Sequence, residues 1–412
     1  MFLYIDPGTG SMLFTILIGL LGAGIYFLRG IAVKLKFFFS GGRQKADTEK
    51  VPLVIYSDHK RYWNIFEPIC DECEKRGLKV TYYSSSPDDP AFNKTYTHIH
   101  TEFAGEGNKG FAKMNMIRAN IVLSTTPGLD VYQWKRSKDV DYYVHIPHSA
   151  GNLTGYRMFG IDFYDAILVS ADFQKEQVRE LERRRKLPEK EIEMVGIPYM
   201  DRLLERYRTA GEKKSEETTV LVAPSWGPNS IFNRYGESFI DALIKTGYNV
   251  VLRPHPQSYT SEKELIERLK NRYPETDKLH WNSDNDNFEA LRNSDIMISD
   301  FSGVMYEYLL VYGKPIIYTD ISFDYAQFDQ CWLDGDYWTV GIFPKIGMKL
   351  TEEMFPEMKE AIDECIHSEK YIEGRKQVIA EMWRYQGEGT NRTVDYLEKK
   401  YSELTDRNQE EN

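Results

Sequence analysis

From Val51 onward, short apolar and β-branched runs alternate with longer stretches whose apolar positions fall at helical spacing. The first series of runs is Leu53–Tyr56, Lys79–Tyr83, Asn120–Ser124, Tyr142–His145 and Ala166–Ser170. The second is Val220–Ala223, Asn249–Leu252, Asp295–Ser299 and Pro315–Tyr318. Such alternation predicts an α/β fold: parallel sheets with helices on both faces. Arg208 to Glu217 separates the series, is polar and has no periodicity, and therefore reads as a linker. Two doubly wound, Rossmann-like domains are expected, 51–208 and 219–400, facing a cleft. Glu353 to Lys400 reads as mostly helical, and Asp406 to Asn412 as a polar tail. Ligands of these sheets sit beyond the carboxyl ends of the strands, so the loops there carry the candidate chemistry.

The amino-terminal pattern is different. Ser11 to Leu28 carries no charge, and no Lys or Arg precedes it. A helix over this run would be roughly 27 Å long, close to the thickness of a bilayer core. Arg29, Lys34, Lys36, Arg43 and Lys45 follow. That asymmetry predicts a single-pass anchor in the cell membrane, with the rest of the chain in the cytoplasm. Residues 1–50 are then the anchor and a hydrophilic linker.

Composition narrows the partners. The 412 residues carry a formal net charge of −11, which argues against nucleic acid as a partner. The four cysteines, Cys70, Cys73, Cys331 and Cys365, do not suggest a disulfide scaffold and fit a reducing compartment. Cys70 and Cys73 form a CxxC in a helical stretch with no second ligand pair, so they read as ordinary thiols. His98 and His100 lack further ligands. Asp284–Asp286 and Asp334–Asp336 have DxD form but lie in loop-like polar text. None is read as a metal site, and no cofactor is expected.

Four loops carry candidate site residues. In Ser299-Asp300-Phe301-Ser302-Gly303 a strand ends and a helix begins, with Ser302 placed to cap it. The free amides and dipole of that helix start suit a phosphate, which makes Ser299, Asp300, Ser302 and Gly303 donor-site candidates. Arg253-Pro254-His255-Pro256 closes another strand. Arg253 offers a permanent cation with fork geometry, and His255 a hydrogen-bond or proton donor for a departing phosphate. Ser225 lies in the loop Ala223–Ser230 and can hold phosphate or acceptor groups. In the first domain His148 is the preferred general base for an acceptor hydroxyl. His145 is the alternative, although its place in the strand pattern also suits simple packing.

These segments resemble the CDP-glycerol glycerophosphotransferase family, the teichoic-acid primases and polymerases. Ile298-Ser299-Asp300-Phe301-Ser302-Gly303-Val304 followed by Gly313-Lys314-Pro315-Ile316-Ile317-Tyr318 is similar to its SDYSS-like loop and KPIIF-like strand. Gly196 to Leu203, Arg253 to Pro256 and Ala223 to Trp226 resemble further family loops in the same order. The resemblance implies a GT-B fold, a CDP-glycerol or related nucleotide donor, a lipid-linked or polymeric acceptor at the membrane, and no catalytic metal. It also implies that a first-domain histidine takes the acceptor proton. The family's WHGTP-like motif corresponds here to Ile146-Pro147-His148-Ser149, without the tryptophan and glycine, so the choice between His148 and His145 stays open. Three rival readings remain: a GT-B glycosyltransferase using a nucleotide sugar, a catalytically silent scaffold, and a nucleotide-sugar epimerase, which shares the fold but would not need an anchor.

Overall fold

The computed structural model describes residues 50–212, 216–284, 286–319 and 324–410. Residues 51–412 form one compact unit. Its first sheet contains β1 (Val51–Ser57), β2 (Val80–Ser84), β3 (Ile99–Phe103), β4 (Ala119–Ser124), β5 (Val140–His145), β6 (Ala166–Val169) and β7 (Glu191–Met194). The order is β3-β2-β1-β4-β5-β6-β7, with parallel neighbours throughout. The second contains β8 (Thr219–Val222), β9 (Asn249–Leu252), β10 (Leu279–Trp281), β11 (Ile296–Ser299), β12 (Ile316–Thr319) and β13 (Gly347–Leu350). Its order is β10-β9-β8-β11-β12-β13, again parallel. Counted from its own first strand, the second sheet repeats the order of the first.

The central strands are built as the apolar runs require. Val54 to Tyr56, Ile121 to Leu123 and Ile296 to Ile298 are fully buried, because helices cover both faces of each sheet. In each sheet the connections diverge at one point, between β1 and β4 and between β8 and β11. Such a switch point leaves a crevice at the carboxyl ends of the strands. The helix Val304–Glu307 behind β11 continues as a π-helical turn, Tyr308–Tyr312. It stops at Gly313, whose φ of +65° permits the left-handed cap that a side chain would resist.

Several details depart from the pattern reading. The helix Pro198–Ala210 extends into the expected linker, and part of that linker (213–215) lies outside the described residues. The last helix, Gly389–Glu410, packs back on the first half, against the helices Trp63–Lys75 and Pro198–Ala210. Asp201 anchors its start by accepting the Gly387 and Gly389 N–H groups. The expectation of a single-pass membrane protein is corrected. Among the described residues no helix is long and apolar enough to cross a membrane, and Ser11–Leu28, on which that reading rested, lies outside them.

A buried ion cluster ties the two halves together. Arg185, at the end of the helix Asp172–Arg185, donates to Asp162 at 2.6 Å and also to Asp329, which belongs to the second half. Asp329 further accepts the N–H groups of Phe159 (2.7 Å) and Gly160 (3.2 Å). All three charged side chains are at most 5% exposed, so each depends on the others for compensation. Arg185→Ala leaves two buried carboxylates without their cation. It is expected to cost about 3–5 kcal/mol in urea unfolding, and a loss under 1 kcal/mol would show the cluster to be dispensable.

Candidate functional site

The carboxyl-end loops of both sheets enclose a cavity of about 640 Å³. Arg61 and Tyr62 come from the loop after β1, and His148 from the loop after β5. Arg253 and His255 follow β9, and Ser302 and Gly303 follow β11. The fold therefore brings the Arg253–His255 corner and the Ser302–Gly303 turn to one space, together with His148 from the chain's other half.

Each polar group arrives with its state partly set. His148 is half-buried, and the loss of hydration lowers its pKa from the ordinary 6.5. The Thr125 carbonyl pulls it back in part by favouring a ring N–H, and Asp58 does so weakly by its charge. The lowered pKa favours the neutral imidazole, the form a general base needs. Rings of Tyr62 and Tyr156 flank it at centroid distances of 5.1 and 5.4 Å. His255 accepts the Gln257 N–H on Nδ1 at 3.1 Å, so its neutral form carries the proton on Nε2 and can donate there. Burial lowers its pKa too, while Glu262 opposes the shift.

Arg253 is less free than a bare cation. Its Nη1 donates to Asn282 Oδ1 and its Nη2 to the Asp284 carbonyl at 2.8 Å. Three of the five guanidinium hydrogens remain for a ligand, so the side chain is a fixed donor rather than an open fork. Glu307 and Asn287 also line the cavity, joined by an amide-to-carboxylate hydrogen bond of 2.9 Å. Burial raises the Glu307 pKa, while Asn287 and Arg253 oppose it.

Four of the expected site residues serve the scaffold. His145 is fully buried, its pKa pulled down to about 3 by burial, with Nε2 bonded to the Tyr156 hydroxyl at 3.0 Å. It packs between Tyr156 and Tyr164 and does not line the cavity. Ser299 Oγ donates to the Ala223 carbonyl at 2.7 Å. Asp300 accepts the N–H groups of Ser225 (2.7 Å), Ile231 (3.2 Å) and Phe301 (2.6 Å). It fastens the loop after β8 to the turn after β11, and Ser225 takes part through its backbone. Ser302 does not cap the following helix by its side chain: Gly303 is the N-cap residue, and Ser302 offers its carbonyl to Met305. Ser302 and Gly303 still face the cavity, and a side chain built on Gly303 would meet open space.

Arg61, Tyr62, Glu307 and Asn287 were not singled out by the sequence reading. Arg61 and Tyr62 follow the central strand β1, a position that strand topology alone marks as ligand-facing. Glu307 lies one helical turn beyond Gly303. The short motifs fall elsewhere. Asp286 pairs with Arg206 and Asp334 with Arg184. His98 and His100 sit beside Glu74 and Glu102. No group of three metal-ligating side chains occurs among the described residues. Cys70 and Cys73 are buried thiols, Cys73 pushed up to about 12 by burial.

Two parallel α/β halves with an anion-suited cavity between them define a GT-B-type transferase. Residues 158–398 match the family described as CDP-Glycerol:Poly(glycerophosphate) glycerophosphotransferase. The chain belongs to that family and is a glycerophosphotransferase. Among solved structures it is similar to the wall teichoic acid polymerase TagF with CDPG, at 15% identity and a TM-score of 0.57, over 94% of this chain and 99% of that one. It is also similar to Methanocaldococcus jannaschii UDP-GlcNAc 2-epimerase in complex with UDP-GlcNAc and UDP, at 12% identity and a TM-score of 0.53, over 85% of this chain and 100% of that one. At these identities the likeness establishes the fold. No curated protein matches the sequence.

Two measurements separate the histidines. Because burial lowers the His148 pKa, the acid limb of kcat/KM against pH should have its midpoint below 6.5, with the rate level by neutral pH; a midpoint above 6.5 contradicts the buried neutral base. His145→Ala is expected to destabilise the fold by on the order of 3 kcal/mol in thermal or urea unfolding, as loss of a packed buried ring does.

Proposed function

We infer that this enzyme transfers glycerol phosphate from CDP-glycerol to a hydroxyl of a lipid-linked or polymeric acceptor of teichoic-acid type, releasing CMP. One observation carries the reading: His148 shares a cavity with Arg253, His255 and the Ser302–Gly303 turn. A base and an oxyanion-stabilising set lining one cavity suit in-line attack on phosphorus.

The donor diphosphate lies against Arg253, His255 and the backbone at Ser302 and Gly303. Arg61, from the other half of the chain, adds a second cation to the lining. Glu307 and Asn287 present an acceptor and a donor to the ribose hydroxyls. His148 takes the acceptor hydroxyl proton as its oxygen bonds to the glycerol-bearing phosphorus. The bond from that phosphorus to the CMP oxygen breaks, and the electron pair leaves with CMP. His255, through Nε2–H, and Arg253 stabilise the charge that builds on the leaving phosphate.

The test is transfer of radiolabelled glycerol phosphate from CDP-glycerol, with donor affinity measured by calorimetry. His148→Ala should lower kcat about 10²–10⁴-fold while leaving the CDP-glycerol Kd within a few-fold. His255→Ala should lower kcat about 10²-fold or more, the usual loss for one oxyanion-directed donor. Full activity in the double variant would reject the site.

A further inference from the structure

A second cavity, about 330 Å³, meets the cationic one at His148 and Ser302, which line both. Its character is different. Rings of Tyr156, Phe301, Tyr306, Phe328 and Tyr337 form much of its wall, and Ser149, Asn152 and Thr339 add hydroxyl and amide groups. None of its described lining residues is Asp, Glu, Lys or Arg. Across the shared boundary stand Arg61 and Arg253. A charged chamber and an uncharged one thus open on the same imidazole.

The uncharged chamber is assembled from both halves of the chain. Asn152 Nδ2 donates to Thr339 Oγ1 at 2.6 Å. The ring of Phe173 stacks on Trp338, with centroids 4.1 Å apart and planes 5° apart. Arg157 and Phe328 form an antiparallel bridge, beside the Asp329–Arg185 contact. These links hold Phe328 and Tyr337 in place as a fixed wall.

Charge decides what such a chamber accepts. A phosphodiester entering it would lose hydration and meet no cation in return. A sugar ring meets better terms. Its C–H faces pack on aromatic rings, and its hydroxyls find Asn152, Ser149 and Thr339. The volume lies at the low end for small-molecule sites, about 300 Å³, which suits one ring rather than an extended segment. A ring held there would bring a hydroxyl to the His148 imidazole, which lines both cavities.

We propose that this chamber is the acceptor subsite of the reaction inferred above, on which it rests, and that it receives an uncharged sugar ring. The hydroxyl that attacks then belongs to a neutral glycan end, not to a glycerol-phosphate terminus.

Initial rates with CDP-glycerol and two acceptor sets of equal alkyl chain, neutral hexosides and glycerol-phosphate oligomers, test this directly. The wild-type protein should show kcat/KM at least about 10-fold higher for a hexoside. Tyr337→Ala should raise the hexoside KM by about 10-fold or more and leave the CDP-glycerol Kd unchanged within about twofold, which also reports a folded variant. Tyr337→Phe should keep the wild-type KM. Preference for the oligomers, or a Tyr337→Ala effect on the donor Kd in place of the acceptor KM, overturns the proposal. Failure of the wild-type protein to bind CDP-glycerol is a separate result: it removes the donor assignment and this subsite with it.

Discussion

A buried cation helps lock the two halves around the cleft. Arg185 lies between Asp162 of one half and Asp329 of the other, and Asp329 also collects two backbone N–H groups of the first half. A buried ion pair is a poor source of net stability compared with apolar packing, because desolvation offsets much of its attraction. Its strength is selectivity: only one arrangement places the cation against both carboxylates. That arrangement pins the segment around Phe328 and Gln330 to the first half. With the segment comes the position of the second sheet's loops relative to His148.

Burial then sorts the polar groups into roles. Asp300 lies at the centre of the most phosphate-like stretch of the chain. Its carboxylate nevertheless gathers three backbone amides and never reaches the cavity wall. Its contribution is to hold the loop after β8 and the turn after β11 in register, so that Pro224 and Ser302 border one space. His145 and His148 are three residues apart and have opposite uses. The strand end carries His145 inward among tyrosines, whereas the following loop leaves His148 at the boundary of two cavities. Its burial lowers its pKa and so favours the neutral form that the proposed general base requires.

The contrast between the two cavities is also a consequence of chain topology. Loops at the carboxyl ends of the second sheet, together with Arg61, supply the cations. The first half's Ser149–Tyr156 segment and the second half's Phe301–Tyr306 and Phe328–Phe343 segments supply the rings. One histidine borders both because β5 ends beside the seam between the halves.

Much of the architecture was legible in the chain. Every central strand was marked by its apolar run, since a strand buried on both faces has no room for polar residues. The strands that escaped notice, β3, β7, β10 and β13, are the four sheet edges. Their sequences, such as Glu191-Ile192-Glu193-Met194, read as polar because an edge is paired on one side and partly wet. Of the residues expected at the site from strand-end position and chemistry, the structure gathers His148, His255, Arg253, Ser302 and Gly303 around one cavity. Ser299, Asp300, Ser225 and His145 share those positions and chemistries but are spent on the scaffold. Sequence by itself determined which loops could carry chemistry, because strand order and apolar burial are written in local patterns. Which side chains face the cavity, and which cavity is charged, only the tertiary structure decided, because those outcomes depend on contacts between residues more than a hundred positions apart.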